Sequence, residues 1–105
     1  MNNEYGKLVK ALAKDSDEIM DSLNSYDCHL IHMIMGVCGE AGQLLDGIKK
    51  GVIHREQLDM KKVVKELGNI EFYLEGLRQG LDLDRDVVIQ HSIDKLNAQH
   101  VDNKS

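Results

Sequence analysis

Two stretches decide the fold: Gly36-Val37-Cys38-Gly39-Glu40-Ala41-Gly42-Gln43-Leu44-Leu45-Asp46 and Lys65-Glu66-Leu67-Gly68-Asn69-Ile70-Glu71-Phe72-Tyr73-Leu74. Both carry apolar residues at helical spacing, and neither contains proline. On a helix, residues three apart share a face, so Glu40 with Gln43 and Glu66 with Asn69 form two short polar brackets. If the two helices lie side by side, the brackets oppose each other. Oxygen-bearing side chains converging between helices are a usual way for a helical bundle to hold a hard cation. Here two of the four are carboxylates and two are neutral amides.

Working outward, Tyr5, Leu8, Val9, Leu12, Ile19, Met20 and Leu23 recur at helical spacing. They predict an amphipathic helix over residues 4–24 with a break near Asp15-Ser16-Asp17. Asn24-Ser25-Tyr26 reads as a turn. A second helix is expected from Asp27, as N-cap, to Lys50, with Gly51 as its C-cap. Residues 51–58 connect to a third helix, capped by Asp59 and running to about Gly80. Asp84 opens a fourth, through about Ala98, and a frayed tail is expected over residues 99–105. The reading is a single all-α domain over residues 1–105, a four-helix bundle that gains from assembly because a chain of this length buries little core alone.

Composition narrows the function. The formal net charge is −5, and no basic stripe is present to follow a phosphate backbone, so DNA and RNA polymers are not expected partners. No apolar run approaches the ~18 residues that a membrane span needs, and the mixed charges of the first residues do not form a signal peptide. A cytoplasmic protein is expected, in the host cytoplasm if its source is viral. Cys28 and Cys38, ten residues apart on one helix, would lie about 15 Å from each other, beyond disulfide reach. They read as reduced, buried small hydrophobes. Gly36, Gly39 and Gly42 inside the second helix cost roughly 1 kcal/mol each relative to alanine. Close approach by another helix or a ligand along that face would offset the cost.

The brackets and their surroundings, from about His32 to His100, resemble the MazG-like all-α nucleoside triphosphate pyrophosphohydrolases. Members of that family carry an E-x-x-E bracket, an E-x-x-D bracket and a late N-I-x-K-L motif followed by Arg and Tyr. Glu40, Glu66, Lys49, Ile93, Lys95 and Leu96 follow the pattern. Gln43, Asn69, Ser92, Gln99 and His100 depart from it, standing where the family has Glu, Asp, Asn, Arg and Tyr. The resemblance implies a MazG-like oligomeric bundle, a homodimer or homotetramer, with a nucleotide site among the helices. Its implied nucleotide-binding residues are His32, Glu40, Gln43, Lys49, Glu66, Asn69, Tyr73, Ser92 and Lys95.

What that site could do is a separate matter. Magnesium in such a site neutralises the triphosphate and activates water. Gln and Asn keep an oxygen in place but lose its charge, and neither acts as a general base near neutral pH. The leading expectation is therefore a protein that binds a nucleotide or nucleotide-derived signal with little or no hydrolysis. It would act by sequestration, needing no cofactor, with viral counter-defence as one setting. No catalytic residue is expected, Glu40 and Glu66 being the residual candidates. The alternative is a magnesium-dependent pyrophosphohydrolase cleaving nucleoside triphosphates to monophosphate and pyrophosphate. Glu40, Glu66 and Asp46, or Glu71, would then hold the metal. Each of these residues also has a plainer role: solvated helix carboxylates and lysines, a bundle histidine at 32, and a core ring at Tyr73.

Overall fold

The computed structural model describes residues 3–104. They form five helices and no strand: α1 (Glu4–Leu12), α2 (Ser16–Ser22), α3 (Ser25–Val52), α4 (Met60–Gly80) and α5 (Arg85–Lys104). The all-α expectation is met. The first expected helix is divided at the anticipated place: Ala13 turns extended, and Asp15 caps α2 by accepting from the Asp17 amide.

Three boundaries differ from expectation. Asn24, not Asp27, caps α3. Its side chain accepts from the Asp27 amide at 2.9 Å while the Asp27 carboxylate accepts from the Asn24 amide at 3.1 Å. Asp27 is thus the third helical residue of a capping box, which satisfies two otherwise orphaned donors reciprocally. Gly51 lies within the helix, which ends at Val52. With no proline or left-handed glycine there, nothing stops the backbone ladder at Lys50. Finally, α5 continues through the expected tail to Lys104, because residues 99–104 contain neither Gly nor Pro to interrupt it. Ser105 lies outside the described residues. Asp59 caps α4 as expected, accepting from the Lys62 amide at 3.2 Å.

The extensive packing is between α3 and α4, which the connection over residues 53–59 folds back into an antiparallel hairpin. Its register descends in step. His29 Nε2 bonds the Gly76 carbonyl and its ring lies against Gly80, Met33 sits on Gly76, Tyr73 covers Gly36, and Asn69 meets Glu40. Continuing the same spacing puts position 43 opposite 66 and position 47 opposite 62. Glycine on this seam lets the backbones approach: a Cβ at Gly36 would overlap the Tyr73 ring, and one at Gly76 the Met33 thioether. Gly39 and Gly42 lie off the seam, with nothing within 4 Å of where a Cβ would stand. Close approach thus accounts for one of the three glycines named from the sequence.

Little else is covered. Met33, 7% exposed, is the buried apolar residue of the described chain. The apolar side chains of α1 and α5, Leu8, Val9, Leu12, Ile89, Ile93 and Leu96 among them, are all exposed. So are Cys28 and Cys38, which corrects the expectation of buried thiols; no helix lies over that side of α3 to cover them. The radius of gyration is 20.2 Å, against about 13 Å for a compact chain of this length. The accessible surface is 9002 Å², roughly 3,000 Å² more than a globular monomer of this mass exposes. No helix of the described residues is long and apolar enough to cross a membrane.

Candidate functional site

The hairpin does bring the brackets together. Asn69 Nδ2 donates to Glu40 Oε2 at 3.3 Å across the α3–α4 seam, and both residues are part-buried. One turn further toward the connection the register sets Gln43 opposite Glu66. Gln43 is exposed. Glu66 is only 2% exposed, the buried charged residue of the described chain, and neither of its carboxylate oxygens has a hydrogen-bond partner. Lys62 Nζ, one turn earlier on α4, comes to 4.0 Å from Glu66 Oε1, near enough to balance the charge but too far to hydrogen-bond.

Glu66 lines a cavity of about 190 Å³ beneath the connection, together with Gly47, Lys50, Leu58, Lys62 and Val63 and the acidic Glu56 and Asp59. Its existence follows from the seam. Gly47 presents no side chain opposite Lys62, with nothing within 4 Å of its absent Cβ, while Leu58 packs down on Gly51 and closes the far end. Buried without hydrogen-bond donors, the carboxylate has only the Lys62 charge at 4.0 Å to offset its desolvation. The arrangement is chemically unfinished and suits an occupant that brings hydrogen-bond donors. Lys50 and Lys62 were not singled out from the sequence. The i, i+4 spacing of Lys62 and Glu66 was there to be read, but the cavity beside them depends on the fold of the connection.

Other expected site residues are placed differently. His32 is exposed and meets Tyr73 edge-on, ring centroids 6.2 Å apart at 67°, and Tyr73 is wedged between that ring, Phe72 and Gly36. Tyr73 therefore serves the seam. Lys49 is exposed, and Asp46, also exposed, is ion-paired with Lys50 at 3.3 Å. Glu71 is exposed on α4. Ser92 and Lys95 lie on α5, exposed throughout, and the single chain does not bring them to the brackets. The late motif was grouped with the brackets from a resemblance in sequence, whereas the chain leaves α5 unpacked against the hairpin. Among the described residues no group of three or more His, Cys, Asp or Glu side chains is set to hold a metal ion. Within the bracket, Glu40 and Glu66 are the two carboxylates, and Glu40 is engaged by an amide.

Compared with known proteins, the chain is 33% identical over 76 residues to the Gene 37 protein of Mycobacterium phage L5, an alignment covering 67% of this chain and 65% of the phage protein. The chain thus spans less than two-thirds of that relative's length. No protein-family model matches the chain, and no solved structure matches it.

Proposed function

We propose that the protein binds a nucleotide, or a signal derived from one, at the α3–α4 seam and withholds it without appreciable hydrolysis. The observation that carries this reading is Glu66, a buried carboxylate with both oxygens unpartnered at the wall of a cavity, beside a bracket in which an amide already occupies Glu40. The donor set favours capture over cleavage. Amides at positions 43 and 69 offer hydrogen bonds to sugar and phosphate groups but not the negative charge that concentrates a divalent ion, nor a base to deprotonate water. The resemblance to MazG-like pyrophosphohydrolases supports a nucleotide as the ligand class. The phage origin of the similar protein supports a viral setting, in which a small protein lowers a free signal by mass action in the host cytoplasm.

In this reading the working unit is a homo-oligomer, a dimer or tetramer. The excess exposed surface, about 3,000 Å² per chain and so about 6,000 Å² for a pair, is enough to supply the ~2,000–5,000 Å² or more that obligate interfaces bury in total. Assembly also offers a route by which Lys95 and Ser92 of one copy reach the brackets of another. Thermal denaturation in the presence of linear and cyclic nucleotides tests the reading. A binder gains about 2.7 kcal/mol when ligand stands at a hundred times its Kd, and an indifferent melting temperature across the panel rejects it. Pyrophosphate release at ordinary enzymatic rates, with magnesium and a nucleoside triphosphate, would instead establish the hydrolase alternative.

A further inference from the structure

The cavity beneath the α3–α4 connection has a donor and acceptor order that selects its occupant. Glu66, in its wall, holds two buried carboxylate oxygens without hydrogen-bond partners, and the Lys62 ammonium stands 4.0 Å from one of them; Lys50, Glu56, Gln57 and Asp59 complete the polar lining. Satisfying that pair takes two adjacent donors for the carboxylate and, next to them, an acceptor for the ammonium. Leu58 and Val63 supply apolar wall, suited to the flat faces of a ring. At about 190 Å³ the space is smaller than the ~300–1,000 Å³ of sites that enclose a drug-sized ligand, which leaves room for one heterocycle with the rest of the molecule outside. A divalent ion fits less well. An ammonium sits beside the carboxylate, and although Glu56 and Asp59 line the same cavity, among the described residues no group of three His, Cys, Asp or Glu side chains is set to hold a metal ion.

The pairing edge of guanine presents that order: exocyclic amine and ring N–H, both donors, followed by the O6 acceptor. Adenine places an unprotonated ring nitrogen at the centre of its edge, lone pair against lone pair with a carboxylate. We infer that Glu66 and Lys62 form a guanine-selective base pocket, Glu66 accepting from the ring N–H and the amine while Lys62 donates to O6. This inference rests on the nucleotide-binding reading and names its base. Gly47 lines the pocket with no side chain, and nothing lies within 4 Å of where its Cβ would stand.

Isothermal titration of the full chain with GTP, ATP and ITP, all in excess chelator, tests the pocket. A hydrogen bond to a charged group is worth about ten- to a hundredfold in affinity. GTP should therefore exceed ITP, which lacks the amine, by about that factor, and ATP should be weaker still. Glu66→Gln should abolish the preference for GTP over ATP, because an amide presents one acceptor and one donor group. Gly47→Leu should block GTP while leaving the helical melt intact, which keeps the test independent of any folding defect at position 66. Equal affinity for GTP and ATP, or a preference that survives Glu66→Gln, overturns the pocket and leaves nucleotide binding standing. Failure of all three nucleotides to bind overturns both.

Discussion

Replacing Gly36 with alanine, and Gly39 with alanine in a parallel variant, separates the seam of the hairpin from its open face. Each substitution gains about 1 kcal/mol from the better helix propensity of alanine over glycine. At position 39 that gain is undiluted, since nothing lies within 4 Å of the new methyl group. At position 36 the methyl overlaps the Tyr73 ring, and the ring has little room to yield, being in edge contact with Phe72 at 5.2 Å and His32 at 6.2 Å. Overpacking of this kind costs about 1–3 kcal/mol. Gly36→Ala should thus be neutral to about 2 kcal/mol destabilised and Gly39→Ala stabilised by about 1 kcal/mol, a gap of about 1–3 kcal/mol. For a chain of this size each kcal/mol moves the melting temperature by about 4–8 °C. Far-UV circular dichroism melts, at one protein concentration so that assembly is compared on equal terms and without ligand so that binding does not enter, should place Gly36→Ala well below Gly39→Ala. A Gly36→Ala protein that melts at or above Gly39→Ala would refute the seam as described.

Three further outcomes are expected. Asn24→Ala and Asp59→Ala each remove a cap that satisfies a helix N-terminal amide and should each lower stability by about 1 kcal/mol, read as an earlier urea midpoint at unchanged slope. Asn69→Asp sets a second carboxylate against Glu40, replacing a 3.3 Å hydrogen bond by like charges; the variant should lose about 1–3 kcal/mol in chelator, and added magnesium should restore most of it, more so with Gln43→Glu. A magnesium titration that leaves the melt of that double variant unmoved means the brackets do not surround an ion site. Sedimentation of the native chain should return a multiple of 11.9 kDa at micromolar concentration, and a folded monomer at every concentration would remove the basis for assembly.

Much of the local structure was legible because it depends on neighbours a few residues away. The break at Asp15 and the cap at Asp59 follow from side chains competing for amides within one helical turn, and α5 starts just after Asp84, whose backbone carbonyl accepts from the Val87 and Val88 amides. Where local reading slipped, the rival was equally local: Asn24 and Asp27 cap reciprocally, and choosing Asp27 alone misplaced the N-cap of α3 by three residues. The polar brackets at 40, 43, 66 and 69 were visible as i, i+3 pairs, and their meeting needed only an antiparallel hairpin.

What the amino-acid sequence by itself determined, then, is an all-helical chain with two polar brackets, each on one face of its own helix. Tertiary structure alone decided which of those residues share an environment. It linked Asn69 to Glu40, buried Glu66 without a donor and opened a cavity opposite Gly47. It also set Tyr73 into the seam and left Ser92 and Lys95 out on an unpacked α5. The physical reason is that burial and partnership depend on the relative placement of helices remote in sequence. The spacing of residues along one helix establishes which of them share a face, but says nothing of what that face meets.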